Sequence, residues 1–193
     1  MITLFIKIKN SKLRIFYFLQ TFFLASFTLL AQTKTTKIFP KPEGIKNMLF
    51  YVQRTMNTNT IIYELNLDAN QELNIEEPIK IFWKCYAKKG EIEPLNYIQR
   101  NFAYGLEVKM IDHEKKSFSF NFVSYKKQTI YLLKSVLENK YYAYTTINSK
   151  LMLLTHIFIQ IEGGSFWTPK VKYIEITGKD PEKNIEIVQK VIP

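Results

Sequence analysis

A single cysteine, Cys85, stands among 193 residues. That excludes an internal disulfide and any metal centre built from several thiolates, so the fold must be held by its core. Histidine is almost as scarce, with only His113 and His156. Neither sits in an H-x-H or H-x3-H spacing, and no carboxylate cluster is in register with them, so no metal site is indicated. No serine occupies a G-x-S-x-G elbow. Gly163-Gly164-Ser165 lacks the lysine and the following helix of a phosphate-binding loop and reads as a turn. No catalytic residue and no cofactor is assigned. Dense basic tracts are also missing. Lys88-Lys89 and Lys126-Lys127 are isolated pairs, which argues against nucleic acid as a partner.

Acids are absent from the first 31 residues, which carry Lys7, Lys9, Lys12 and Arg14. An apolar run follows over residues 15–31 and closes on Leu29-Leu30-Ala31. A basic start, an apolar middle and a small exit residue are the grammar of a secretory signal, read here as residues 1–31. The run contains Gln20, Thr21, Ser26 and Thr28 and falls short of the about 20 apolar residues of a spanning helix. If uncleaved it would act as a membrane anchor. No later stretch can cross a bilayer as a helix, so no transmembrane domain is expected once the signal is removed. The expected location is the periplasm or the extracellular space. The segment holds four of the 27 basic residues and none of the 17 acids, so the remaining 162 residues carry +6. That balance suits an exported domain or weak attraction to anionic envelope lipids or glycans.

Residues 32–47 read as a linker, with Pro40, Pro42, Gly44 and no periodicity. Residues 48–193 form one domain in which the period is two. Phe50 and Val52 alternate with Tyr51 and Gln53. Ile79, Ile81, Trp83, Cys85 and Ala87 share a face, and Phe118, Phe120 and Phe122 alternate with Ser117, Ser119 and Asn121. Asn57-Thr58-Asn59 reads as the turn of a first hairpin. Over residues 94–104, Leu95, Ile98 and Phe102 recur at helical spacing, with Pro94 suited to the first turn and Gly105 to a left-handed stop. The expected fold is mainly β: an antiparallel barrel or a two-sheet sandwich of about nine or ten strands with one short helix.

Polar groups embedded in these patterns are the candidates for binding. Arg54 occupies the alternation face of Phe50 and Val52. Arg100 lies three and four residues from Tyr97 and Tyr104, and Trp83 and Trp167 are large amphipathic groups. Arginine with aromatics can hold a carboxylate, a phosphate or a sugar ring. The plain alternative is that both arginines snorkel to water from element ends. His156 shares its strand pattern with Met152, Leu154 and Phe158 and reads as a structural histidine, and Cys85 reads as a buried, inert thiol.

Several longer stretches carry a resemblance. They include Leu49-Phe50-Tyr51-Val52-Gln53-Arg54, Leu95-Asn96-Tyr97-Ile98-Gln99-Arg100-Asn101-Phe102-Ala103-Tyr104-Gly105 and Ile161-Glu162-Gly163-Gly164-Ser165-Phe166-Trp167. Together they resemble the domain-of-unknown-function family numbered 4833, small secreted proteins mostly of Gram-negative bacteria. The resemblance implies an envelope or secreted location and brings no activity, substrate or catalytic residue with it. Trp83-Lys84-Cys85-Tyr86 departs from the family pattern. The expected function is a non-enzymatic binding module for a small amphipathic ligand, a lipid or an envelope glycan. One alternative is a hydrolase of envelope material, which requires Arg54, Arg100, His156 or nearby carboxylates to meet in one cleft. The other is a structural interaction module of the cell envelope, which an exposed aromatic patch would favour.

Overall fold

Alternation of side chains sets the strands. β6 (Ser117–Phe122) buries Phe118, Phe120 and Phe122 and leaves Ser119 and Asn121 partly exposed. β3 (Ile79–Cys85) buries Ile79, Ile81, Trp83 and Cys85 and turns Lys80, Phe82 and Lys84 outward. The computed structural model describes residues 38–165 and 168–193. The expected signal, the start of the expected linker and Trp167 lie outside the described residues.

Among the described residues eleven strands build one curled sheet, a half-barrel. The others are β1 (Met48–Arg54), β2 (Asn57–Leu65), β4 (Glu91–Pro94), β5 (Leu106–Asp112), β7 (Tyr125–Lys134), β8 (Tyr141–Ile147), β9 (Lys150–Gly164), β10 (Pro169–Lys179) and β11 (Glu186–Val191). The order is β4-β3-β2-β1-β9-β8-β7-β6-β5, with β10 and β11 branching from β9. β4 is the strand that sequence reading missed. Its alternation is too short to register, and it exists because it pairs with β3.

β9 is the hinge of the architecture. One edge pairs first with β8, Tyr144 opposite Leu153, and then with β1, Tyr51 opposite His156. The β1–β9 pair is parallel, against the antiparallel expectation. No hairpin joins these distant segments, so nothing local dictates their direction. Where the partner changes, β9 bulges. Thr177 of β10 faces His156, but Gly178 faces Leu154, and Thr155 is left unpaired. The inward set therefore switches from Met152 and Leu154 to Ile157 and Ile161. This turns His156 away from the face of Met152 and Leu154 on which strict alternation places it. Gly178 makes the corner sterically possible: a Cβ there would lie 2.4 Å from Ile147 Cδ1 and 2.9 Å from Met152 Cβ.

The outer side of β1 and β2 is covered by the chain just ahead of them. Gln53 Nε2 donates to the Pro40 carbonyl at 2.8 Å and to Thr60 Oγ1 at 3.0 Å, and Phe39 meets Phe158 edge-on at 5.1 Å. The β1–β2 turn is Thr55-Met56, and Asn57-Thr58-Asn59 belongs to β2. β9 places this turn: Ile161 N donates to Thr55 Oγ1, and Thr55 Oγ1 donates to the Ile161 carbonyl, at 2.9 and 3.0 Å.

The sheet ends β4 and β5 are joined by a short helix, α1 (Tyr97–Gln99), which widens into a π-turn over Arg100–Tyr104. Asn96 caps it, accepting from Gln99 N at 2.9 Å, while Gln99 Oε1 accepts from Asn96 N at 3.1 Å. Pro94 closes β4 and is not a helical first turn. Gly105 is extended, with φ −65°, and not left-handed. Its smallness serves a close approach instead, since a Cβ would fall 1.8 Å from the Arg100 carbonyl oxygen. The helix is tied to both halves of the sheet. Tyr63 Oη donates to the Tyr104 carbonyl at 2.7 Å, and Ser124 Oγ donates to the Ala103 carbonyl at 2.6 Å. Beneath it, Phe50 stacks on Tyr63 at 4.3 Å, and both meet Phe122 edge-on.

Candidate functional site

The half-barrel does not fill its interior. A cavity of about 820 Å³ lies between the inner faces of β1, β9 and β10 on one side and the helix with the β6–β7 turn on the other. Pockets of roughly 300–1,000 Å³ are the size that holds small ligands. The β9 bulge creates this wall, because only after it do Ile157, Ile159 and Ile161 point inward together. β10 adds Val171, Ile174 and Ile176 opposite the helix residues Phe102 and Tyr104. Met56, Phe102 and the residues 163–165 are exposed and mark the mouth.

Arg54 is the sole ionisable lining side chain, apart from the tyrosines, among the described residues. Phe50 and Val52 precede it on the inner face of β1, and the same alternation brings Arg54 inward at the strand's end. Its guanidinium carbon lies 5.2 Å from the Trp83 ring centre and 5.5 Å from that of Tyr104. Those two rings meet edge-on at 5.4 Å. Arg54 Nε is buried without a hydrogen-bond partner. Burial raises the Tyr104 phenol, and the nearby Arg54 charge opposes that rise. Trp83 is held in place by its indole N–H, which donates to Gln99 Oε1 at 3.1 Å.

The structure thus brings three of the six sequence-selected residues together: Arg54, Trp83 and Tyr104. Arg100 points to solvent and pairs with Glu77 at 3.2 Å. Tyr97 is 75% exposed and rests against Phe102 outside the arginine corner. Trp167 lies outside the described residues. The family model for a domain of unknown function, DUF4833, matches residues 50–190. The chain belongs to this family. No curated protein and no solved structure matches it. The match spans every cavity element from Val52 of β1 to Ile176 of β10, so the cavity lies wholly within the DUF4833 domain apart from its rim at Pro193.

Sequence reading missed Ile157, Ile159, Ile161, Tyr125 and Gln128 as lining residues. The isoleucine triplet is visible in the sequence, but its direction depends on the bulge. The groups named for a hydrolase do not converge. Arg54 faces the cavity, Arg100 faces solvent, and His156 lies on the outer side of β9, stacked on Tyr51 at 4.4 Å. Burial lowers the His156 imidazole to about 4, and its Nε2 is buried without a partner. Cys85 is buried, and burial, with Glu93 beside it, raises its thiol. Among the described residues no group of three His, Cys, Asp or Glu side chains is placed to hold a metal ion. No described helix is long and apolar enough to cross a membrane.

Proposed function

We propose that the protein is an exported β-domain that binds a small amphipathic ligand inside its half-barrel, without chemistry on it. The observation that carries the reading is the cavity itself. Its wall is mostly isoleucine, valine and aromatic side chains, it meets solvent at Met56, Phe102 and residues 163–165, and it is large enough for a lipid-like molecule. Apolar surface of this kind gains by about 25 cal/mol per Å² when a ligand removes it from water. Export rests on the basic and apolar grammar of residues 1–31.

The test uses the full chain expressed in a Gram-negative host. The expected result is recovery from the periplasm or the medium, with a small amphiphile released by organic extraction and seen by mass spectrometry. The recovered protein, freed of lipid, should brighten N-phenylnaphthylamine, a neutral apolar probe. Ile159→Trp, which fills the cavity from β9, should abolish that signal while Tm is retained. Retention in the cytoplasm with residues 1–31 attached refutes export. Equal probe binding by wild type and Ile159→Trp, or none by either, refutes the cavity as the site.

A further inference from the structure

The cavity is lined mostly by apolar side chains, with Asn57, Ser124 and Gln128 among its neutral polar exceptions, and its charge sits at the arginine corner. Arg54 is half-buried, and among the described residues no carboxylate lies within ion-pair distance of it. The other arginine of the domain, Arg100, has its acid in Glu77. Partial removal of a cation from water is costly unless an anion or strong acceptors replace the lost hydration. The faces of Trp83 and Tyr104, at 5.2 and 5.5 Å, and hydrogen bonding between the guanidinium and the Tyr104 side chain offset part of this cost. They leave Nε, a donor at the side of the guanidinium fork, without an acceptor. A guanidinium fork presents parallel donors to two oxygens of one head group, and carboxylate and phosphate match that geometry.

We infer that the ligand of this cavity is an anionic amphiphile, a single acyl or alkyl chain ending in a carboxylate or phosphate. Its head meets Arg54 at the Trp83–Tyr104 corner, and its tail lies along Ile157, Ile159 and Ile161. The inference rests on the cavity reading above and adds the charge and placement of the head. The corner is rigid before binding: Gln99 holds the Trp83 indole, and the Tyr104 carbonyl accepts from Tyr63. A preorganised cation with no carboxylate in ion-pair distance among the described residues favours a negative head over a neutral one of equal tail length. It also disfavours a positive head through like-charge repulsion.

Displacement of N-phenylnaphthylamine from the lipid-free protein tests this with four probes of one tail: laurate, lauryl phosphate, lauryl alcohol and lauryltrimethylammonium. For wild type the anions should displace the probe at about 10- to 100-fold lower concentration than the alcohol, the range expected of a charge-assisted hydrogen bond. The cation should be weakest. In Arg54→Met the preference for the anions should vanish while lauryl alcohol keeps its affinity. Equal displacement by all four heads in wild type overturns the inference and leaves the cavity reading standing, and so does an anion preference that survives Arg54→Met. Should Arg54→Met not fold, the wild-type head series alone decides. Failure of every amphiphile to bind, with no probe signal to displace, refutes the cavity reading and this inference with it. A laurate or a lauryl phosphate advantage over the other distinguishes a fatty-acid head from a phosphate head.

Discussion

Acid should destabilise this domain in part through one outer-face side chain, His156. Burial holds its imidazole neutral down to about 4, against 6.5 for the free group. In the unfolded chain the ring takes up its proton near 6.5, so between those limits the unfolded state binds more protons than the folded one. Stability therefore falls as pH falls. The contribution of the neutral ring is complete above about 6.5 and lost by about 4. At 1.36 kcal/mol per decade the whole interval is worth about 3 kcal/mol, a large share of an ordinary domain's stability. The low-lying carboxyls of Asp112 and Asp180, held down by turn hydrogen bonds, act below this window, where protonation removes their contribution in turn. The assay is urea unfolding at intervals from pH 7.5 to 4.5, comparing wild type with His156→Phe. Phenylalanine keeps the stack on Tyr51 and removes both the proton site and the unpartnered Nε2. Wild type should lose stability steadily below pH 6.5, and the variant should be flatter by about 2 kcal/mol at pH 4.5. Parallel curves for wild type and His156→Phe would refute the claim that this ring is buried neutral.

Two further substitutions probe the architecture. Gly178→Ala puts a methyl group into the corner where β9 bulges and should cost about 1–3 kcal/mol, a Tm drop of roughly 2–10 °C by thermal melt. Ile147→Val, which withdraws the Cδ1 in its way, should recover part of that loss, and no loss at all would mean the corner is looser than it looks. Tyr63→Phe removes the hydrogen bond that ties β2 to the helix and should cost about 1–2 kcal/mol in urea unfolding. A cost near zero would show that the Tyr104 carbonyl finds water.

Most of the sheet was legible because strand periodicity is local. The alternation of Phe118, Phe120 and Phe122, or of Ile79, Ile81 and Trp83, names an inward face without knowledge of any partner. Arg54 was found the same way, by its place after Phe50 and Val52. The helix was legible from Leu95, Ile98 and Phe102, but its ends were not: Pro94 and Gly105 were assigned their usual roles at helix ends, and pairing with β3 and the pressure of a carbonyl decided otherwise. His156 was misplaced for a similar reason, since one unpaired residue at Thr155 reverses every side chain beyond it.

The sequence by itself determined that this chain forms strands, which residues most of them bury, and that no disulfide links them. Side-chain direction and residue chemistry carry that information over a few neighbours. Only the tertiary structure decided that β1 lies parallel to β9, that β9 bulges where its partner changes, and that Arg54, Trp83 and Tyr104 meet above a row of isoleucines. Those outcomes depend on pairings between residues up to about a hundred positions apart, and no local pattern encodes which distant strand will be the neighbour.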